Sequence, residues 1–300
     1  MIFRRIALSA VAVVSLASCG AVPSANEAFS VGDTSWSREK FNDFLAELIN
    51  AQQITSFGGG ANGEDARGVA TILIRQEATD AFLATQGESI TDADREALLA
   101  DVTAEDPFNS YSETLQNVLL QINSTSTALS RVKMPSADTL KDLYNTLPAR
   151  AGVLCVSHIV VENRNDAITA LRRLNNGEDF AVVARDMSIE PAALQTGGAL
   201  ANQADNNPCF TLEEFRQEGF DPQFVAGAMS ARAGIPTGPV KSSFGYHVIV
   251  NAPWDDVADA VTALVETSPG NVLNEGYLTS ADIAVASSIG TWNVVSGSLE

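Results

Sequence analysis

The first half of the chain carries apolar residues at helical spacing. Four apolar residues at positions i, i+3, i+4 and i+7 follow Ser37, a suitable N-cap: Phe41, Phe44, Leu45 and Leu48. We predict further helices over residues 67–85, 109–131 and 137–147. Another helix is predicted to begin at the capping box formed by Thr91 and Asp94. The glycine-rich stretch 58–63 lacks the Gly-Lys-Ser/Thr ending of a phosphate-binding loop, so we expect a connector there. Residues 29–150 are thus predicted to form a helical unit.

The pattern changes after residue 152. Residues 153–161 are rich in β-branched side chains and predict a strand, as do residues 246–250. Between these strands we predict helices over 166–174, 179–187 and 222–229, and a sharp turn at Gly197-Gly198. This order indicates a compact α+β domain, to which we assign residues 151–254. Residues 255–300 return to a helix over 257–265 and strand-like stretches at 283–286 and 292–295.

The N-terminus has the order of a bacterial secretory signal. Arg4 and Arg5 precede an apolar run over residues 6–16, which is shorter than the ~18 residues of a comfortable bilayer span. The following Leu16-Ala17-Ser18-Cys19 resembles the lipobox, whose cysteine becomes the lipid-modified first residue. We expect removal of residues 1–18, acyl chains such as palmitate on Cys19, and a tether over residues 19–28. An ordinary cleaved signal with an incidental Cys19 is the alternative.

Composition excludes several classes of function. A chain of 300 residues that is 45% hydrophobic has ample material for packed cores. Its formal net charge of −19 argues against nucleic acid as a partner, because clustered Lys and Arg bind phosphate backbones. Two histidines and three cysteines are too few for a zinc ribbon, a multi-histidine centre or a cysteine-rich scaffold. We expect no metal and no cofactor. No second apolar run approaches 18 residues, so we expect no other membrane segment.

The cysteines carry a further prediction. If Cys19 carries lipid, Cys155 and Cys209 are the two that remain in an oxidising compartment, and we expect a disulfide between them. The alternative is a pair of buried free thiols.

Six short blocks follow one another between residues 155 and 252. In chain order they are Ser157-His158-Ile159-Val160-Val161, Gly177-Glu178-Asp179-Phe180, Ala184-Arg185-Asp186-Met187-Ser188, Gly197-Gly198-Ala199-Leu200, Gly238-Pro239-Val240 and Phe244-Gly245-Tyr246-His247-Val248-Ile249. Together these blocks resemble the parvulin family of peptidyl-prolyl isomerases. The flanking segments are similar to the helical chaperone domain of SurA- and PrsA-type folding factors, with residues 32–41 as the entry to the first helix. The resemblance implies an α+β parvulin domain, a small antiparallel sheet with surrounding helices, inserted in a mainly helical chaperone domain that residues 255–300 complete.

The resemblance also implies a site. Rotation about an X-Pro bond passes through a twisted amide, so a catalyst must bind that form better than either planar isomer, without a nucleophile or a metal. The family assigns the apolar slot for the proline ring to Leu200, Phe220, Phe224 and Met229. It assigns the polar floor to His158, Glu190 and His247, with Ser243 near the rim. The alternatives are that the histidines only fill a core and that Glu190 is a surface charge.

The chain departs from the family pattern in three places. Glu190 stands where the family has Cys or Asp, Ala199 and Ala201 replace an acid and a glycine, and residues 202–219 have the length of an insertion. A basic cluster for phosphate is absent from the sequence pattern, so phosphorylated clients are not expected.

We therefore expect a lipid-anchored, extracytoplasmic prolyl isomerase and chaperone that assists the folding of exported polypeptides containing X-Pro bonds. The alternative is a non-catalytic holdase that uses the parvulin fold as a peptide-binding platform. A hydrolase built on Ser157 and His158 is disfavoured, since neighbouring side chains on a strand face opposite sides.

Overall fold

A computed structural model describes residues 23–202 and 207–300 of the chain. The predicted signal over residues 1–18 and the predicted lipidation site at Cys19 lie outside the described residues, as does part of the predicted tether. Within the described ranges the α-helices are α1 (Arg38–Asn50), α2 (Gly63–Thr85), α3 (Asp92–Leu99), α4 (Glu113–Ser130), α5 (Ala137–Thr146), α6 (Arg164–Asn175), α7 (Phe180–Met187), α8 (Ala193–Thr196), α9 (Leu212–Gln217), α10 (Pro222–Ser230), α11 (Trp254–Thr267) and α12 (Pro269–Leu278). Two short 3-10 helices span Pro107–Ser110 and Pro148–Ala151.

The strands form small sheets, all of them antiparallel. They are β1 (Glu27–Val31), β2 (Thr34–Ser37), β3 (Ser56–Phe57), β4 (Gly60–Ala61), β5 (Val153–Leu154), β6 (Val156–Val161), β7 (Phe210–Thr211), β8 (Thr237–Ser242), β9 (Gly245–Asn251), β10 (Ile283–Val285), β11 (Trp292–Asn293) and β12 (Ser298–Leu299). The two three-stranded sheets have the orders β10-β1-β2 and β6-β9-β8. The pairs β3-β4, β5-β7 and β11-β12 complete the described sheets.

The two ends of the chain fold together. Strand β1 lies between β2 and β10, and Phe29 pairs with Val285 across the sheet. One apolar core joins α1 and α2 to the C-terminal segment, and includes Trp36, Phe41 and Trp292. A second core joins α2, α4 and α5 to α11 and α12. The mainly helical part is therefore built from sequence on both sides of an inserted segment, as the predicted architecture requires.

The inserted segment is built around the β6-β9-β8 sheet. Successive residues of a strand face opposite sides, so each face of this sheet has its own core. Ile159 and Val248 pack against α6 and α7 on one face. Val156 and Ile249 pack against α9 and α10 on the other. The α+β fold predicted for this segment is confirmed.

Most predicted elements are present, with revised ends. The helices with clear caps form where expected, including α1 after Ser37 and α3 with its capping box at Thr91. The predicted connector at 58–63 is part of a two-stranded hairpin, β3-β4, that runs into α2. The predicted strand 153–161 is interrupted at Cys155, because β5 pairs with β7 whereas β6 pairs with β9. The predicted long helix begins only at Glu113, after a 3-10 turn and the N-cap Ser112.

Cys155 and Cys209 form a disulfide, and both are buried. The bond lies in the core shared by the helical part and the inserted segment, beside Trp254. Asn251 supports this region from within: its Nδ2 donates to the carbonyls of Ala228 and Ala231 at 2.9 Å each, and its Oδ1 accepts from the Cys155 N–H at 3.2 Å. Of the two alternatives for these cysteines, the structure has the disulfide and not the free thiols.

In the described part of the chain, no helix combines the length and the apolar character needed to cross a bilayer.

Candidate active site

Strand register brings the two histidines of the chain together. His158 on β6 pairs with Ile249, and His247 on β9 pairs with Val160, so the two rings are diagonal neighbours on one face of the sheet. Their Nδ1 atoms lie 3.2 Å apart, and their rings stack with centroids 5.5 Å apart. Both residues are buried. Two histidines 89 residues apart in sequence therefore form one polar unit.

A hydrogen-bond chain orders this unit. Nε2 of His247 lies 2.7 Å from Oγ of Ser242, and that Oγ also accepts the backbone N–H of Phe244 at 3.0 Å. At the other end, Oε2 of Glu190 lies 2.9 Å from Nε2 of His158. A carboxylate oxygen repels a bare ring nitrogen, so we assign the proton to Nε2 of His158. His247 then donates from Nδ1 and accepts the Ser242 hydroxyl proton at Nε2.

The contact between Glu190 and His158 is close but out of line. Although Nε2 of His158 is 2.9 Å from the Glu190 carboxylate, it has no partner with hydrogen-bond geometry among the described residues. The distance and the missing hydrogen bond are consistent if the oxygen lies away from the N–H direction. The ring N–H of this buried histidine therefore has no hydrogen-bond partner among the described residues and is covered beside the Glu190 carboxylate.

Burial keeps both histidines neutral at physiological pH. It lowers the pKa of His158 to about 4. The pKa of His247 is also lowered to about 4, first by burial and then by the neighbouring His158, against a smaller opposite effect from Asp221 and Glu190. A neutral pair can donate and accept hydrogen bonds but carries no charge.

An apolar cleft of about 420 Å³ opens above the histidines. Phe224, on α10, forms its floor between the two rings, with centroid distances of 5.0 Å to each. Phe220 packs edge-on against Phe224 at 5.5 Å, and Phe215 supports both from below. The remaining wall is made by Val160, Leu200 and Gly219, with Ile189 and Phe244 exposed at the rim. The cleft thus combines an aromatic floor with a few fixed polar atoms.

A glycine pair brings Leu200 to this cleft. Gly198 has φ +85°, and a Cβ there would lie 2.3 Å from the carbonyl oxygen of His158, so the position requires glycine. This close approach lets the segment bond along β6: the His158 N–H donates to the Gly198 carbonyl at 2.8 Å, and the Leu200 N–H to the Val156 carbonyl at 2.9 Å. Ala199 and Ala201, where the chain departs from the family, are exposed and leave these bonds intact.

The loop after α7 places Glu190. The Ile189 N–H donates to the Val160 carbonyl at 2.8 Å, and the hydroxyl of Ser188 accepts the Val160 N–H at 3.2 Å. These bonds hold the loop against β6 and bring the Glu190 side chain, 36% exposed, to the cleft. Glu190 is therefore not an isolated surface charge.

The structure brings most of the predicted site together, and Met229 is the predicted slot residue that lies away from the cleft. His158, Glu190, Leu200, Phe220, Phe224 and His247 all line the cleft. Met229 does not; it is buried in the core behind the aromatic floor. Ser243 is exposed, and its N–H and hydroxyl donate to Oδ2 of Asp221 at 2.9 and 2.7 Å. The serine that contacts a histidine is its neighbour Ser242.

Sequence reasoning missed Ser242 and Asp221. Ser242 ends β8, and strand alternation puts its side chain on the same face as His247. The predicted strand 246–250 did not fix the position of the turn between β8 and β9, so the sequence did not distinguish Ser242 from its neighbours. Asp221 was marked by its position before Pro222, where it caps α10 by accepting the Gln223 N–H at 2.9 Å. Hydrogen bonds from Ser243 lower the pKa of Asp221. It lines the cleft beside Phe220.

A family model for the rotamase, or PPIC-type PPIase, domain matches residues 161–251. The matched span includes Glu190, Phe224 and His247, and it begins three residues after His158. It covers most of the inserted segment and none of the helical part.

Curated proteins similar to this chain are described as foldase protein PrsA. The protein from Clostridium kluyveri is 35% identical over 114 residues, which are 37% of this chain and 30% of that protein. The protein from Caldanaerobacter subterraneus subsp. tengcongensis is 29% identical over 217 residues, 70% of this chain and 64% of that one. The alignments therefore span between about a third and two thirds of the relatives' own length.

Solved structures are similar in part. A crystal structure of PrsA from Bacillus subtilis is 16% identical and aligns over 81% of this chain and 86% of its own, with a TM-score of 0.30. The solution structure of NmPin, the parvulin of Nitrosopumilus maritimus, is 27% identical over 34% of this chain and 96% of its own, with a TM-score of 0.28. Because these TM-scores are low, the assignment of the domain rests on the sequence matches.

Proposed function

We propose that this chain, which contains a PPIC-type peptidyl-prolyl isomerase domain, is an extracytoplasmic, lipid-anchored isomerase and chaperone that assists the folding of exported proteins. One observation carries the enzymatic part: two neutral, hydrogen-bonded histidines flank Phe224 at the floor of an apolar cleft. His158, Glu190 and His247 are the proposed catalytic residues. Leu200, Phe220 and Phe224 are proposed to hold the proline ring.

The geometry suggests how rotation is accelerated. Twisting an X-Pro bond removes amide resonance, so the ring nitrogen becomes pyramidal and the carbonyl turns out of the ring plane. The aromatic floor holds the proline ring while the carbonyl turns above it. Nε2 of His158 has no hydrogen-bond partner among the described residues but is covered, with the Glu190 carboxylate 2.9 Å away, so it donates to a substrate oxygen once the Glu190 side chain moves aside. The His247–Ser242 bonds fix the ring of His158. Preference for the turned over the planar form lowers the barrier without covalent chemistry.

The isomerase proposal is tested by measuring cis–trans exchange of a short unphosphorylated X-Pro peptide with the full chain. We expect acceleration that persists in the presence of a chelator. Glu190→Gln should reduce the rate in part and leave the fold intact, whereas Glu190→Asp should keep or raise it. Glu266→Gln, on the exposed face of α11, is the matched control and should change nothing.

Phe224→Ala examines the floor of the cleft. Removing a buried phenylalanine costs roughly 3–5 kcal/mol of stability where the cavity does not collapse, so circular dichroism must show a folded variant before its rate is compared. We expect a large loss of rate in the folded variant. A rate equal to that of the unaltered chain would remove Phe224 from the site.

The competing holdase function has one observation in its favour. Phe57, at the β3-β4 hairpin in the helical part, is 79% exposed and lies outside the isomerase cleft. If the folded chain prevents aggregation of an unfolded client but does not accelerate cis–trans exchange, the holdase function replaces the isomerase function. Unfolded polypeptides are the partners under either proposal.

The anchor and the domain boundaries are separate proposals. Lipidation at Cys19 predicts that Cys19→Ala releases the protein from the membrane fraction or leaves an uncleaved precursor; unchanged processing and membrane retention would refute it. We propose a chaperone domain from residues 29–150 and 255–300, and an isomerase domain over residues 151–254. Two domains that unfold separately should give two transitions in urea, and a single cooperative transition would argue against this division.

A further inference from the structure

We infer that the cleft selects proline segments with a lysine or arginine directly next to the proline. This inference deepens the proposed isomerase function and rests on it. It concerns the negative charge of the site, to which the proposed catalytic mechanism assigns no function.

Two carboxylates line the cleft, and no lysine or arginine does so among the described residues. Glu190 comes from the loop after α7, and Asp221 from the N-cap of α10, so the two acids approach from different elements. Lys241 is on the neighbouring strand β8, but it does not line the cleft. The site therefore has a formal charge of −2 within apolar walls.

The histidines do not compensate this charge. Burial lowers the pKa of both to about 4, so neither is a cation when the protein works at neutral pH. Glu190 lies against the neutral ring of His158, and Asp221 accepts its hydrogen bonds from Ser243 and from the backbone of α10. Neither carboxylate has a cationic partner within the described residues. Both carboxylates are partly exposed to water, so their attraction for a bound cation is screened by salt and is strongest at low ionic strength.

A second observation points to a bound peptide at the same place. Nε2 of His158, in a residue only 7% exposed, has no hydrogen-bond partner among the described residues and adjoins the cleft beside Glu190. This N–H is covered beside the Glu190 carboxylate, and a peptide carbonyl reaches it when the Glu190 side chain turns into the cleft. A proline segment bound through that carbonyl, with its ring on Phe224, has its flanking residues in the same cleft as the two acids. A lysine or arginine side chain there meets uncompensated carboxylates, whereas a glutamate is repelled.

The experiment compares peptides that differ only in one side chain, which is cationic, neutral or anionic. Two series are measured with the full chain, Ala-X-Pro-Phe and Ala-Ala-Pro-X-Phe, with X as Lys, Leu or Glu. We expect kcat/KM for exchange to fall in the order Lys, Leu, Glu in at least one series, with a Lys-to-Glu ratio of about tenfold or more at low salt. Ratios are used because they cancel any common effect of a variant on the rate.

The variant Glu190→Gln/Asp221→Asn should reduce the Lys-to-Glu ratio to less than about twofold. Asparagine keeps the capping oxygen of Asp221, so the start of α10 is retained. The matched control is Asp259→Asn/Glu266→Gln, which removes the same charge from the exposed face of α11 and should keep the full ratio. If the double cleft variant does not fold, Glu190→Gln alone should lower the ratio by at least half.

Equal rates for Lys and Glu peptides in both series, or an unchanged ratio in the cleft variant, would overturn the inference. Failure of the isomerase proposal has a different signature, since no peptide would then be accelerated. In that case fluorescence anisotropy of the same labelled peptides decides the charge preference. Tighter binding of Lys peptides that the cleft variant abolishes supports it, and equal affinity for Lys and Glu peptides refutes it.

Discussion

Replacing Cys155 and Cys209 by alanine removes the cross-link that holds the inserted segment to the shared core. The bond joins residues 54 apart, and closing a loop of this length lowers the entropy of the unfolded chain by an amount equivalent to about 4 kcal/mol. The two cysteines are buried in the same core as Trp254, so the alanines also leave a small apolar gap. We expect the double variant to unfold with a free energy lower by about 4 kcal/mol than that of the oxidised chain.

The structure also predicts that loss of the disulfide affects the cleft. Cys209 directly precedes β7 and α9, and Phe215 of α9 supports the aromatic floor of the cleft through Phe220 and Phe224. Loosening this segment should therefore lower the rate of peptide exchange as well as the stability.

Urea unfolding followed by tryptophan fluorescence measures the effect, because Trp254 reports on the core around the disulfide. Three samples are compared: the oxidised chain, the reduced chain and the double alanine variant. Reductant should destabilise the unaltered chain and leave the alanine variant unchanged, which controls for the reagent. A difference of less than about 1 kcal/mol between the oxidised chain and the variant would refute the loop-closure reasoning.

Three further outcomes follow from the site. Histidines of the unfolded chain are protonated below about pH 6.5, whereas the pKa values of His158 and His247 in the folded chain are lowered to about 4. The free energy of unfolding in urea should therefore be constant above about pH 6.5 and lower by about 2 kcal/mol per histidine at pH 5. Equal stability at pH 7 and pH 5 contradicts this. Ser242→Ala removes the hydrogen-bond partner of His247 and should lower both the free energy of unfolding, by about 1–3 kcal/mol, and the exchange rate. Ser243→Ala, at an exposed position, should change the free energy of unfolding by less than about 1 kcal/mol. Equal losses in the two variants would contradict the hydrogen-bond chain. Gly198→Ala places a Cβ 2.3 Å from a carbonyl oxygen on β6 and should lower the melting temperature sharply. An unchanged thermal unfolding curve would refute this prediction.

Local signals in the sequence were sufficient for the capped helices. Ser37, Thr91 and Asp179 each accept a backbone N–H in the first turn of the helix that follows, so the start of each helix is decided within three or four residues. The predicted face of α1 is also its buried face, with its four apolar residues in the core. Interactions this short in range can be predicted from sequence without knowing the fold.

The short strands were harder, because their partners are distant in sequence. Strand β1 was not predicted, and it is stabilised by β10, which follows it by about 250 residues. Strand β5 was merged with β6 in the prediction, although its partner β7 belongs to the segment that looked like an insertion. Helix α12, which starts at Pro269, was missed as well. Its two glycines have low helix propensity, and each packs against backbone, Gly270 at Leu129 and Gly276 at residues 150–152.

The sequence by itself determined the residue types of the site and their order: two histidines on strands, a carboxylate after α7, and two phenylalanines, one just before α10 and one on it. Only the tertiary structure decided which atoms meet. Strand register sets the 3.2 Å contact between the histidines, and the turn after β8 selects Ser242 rather than Ser243 as the partner of His247. The N-cap of α10 brings Asp221 to the cleft, and burial makes the histidines neutral. Each of these depends on a shift of one residue or a few ångströms between segments far apart in sequence, which hydrophobic pattern and spacing do not specify.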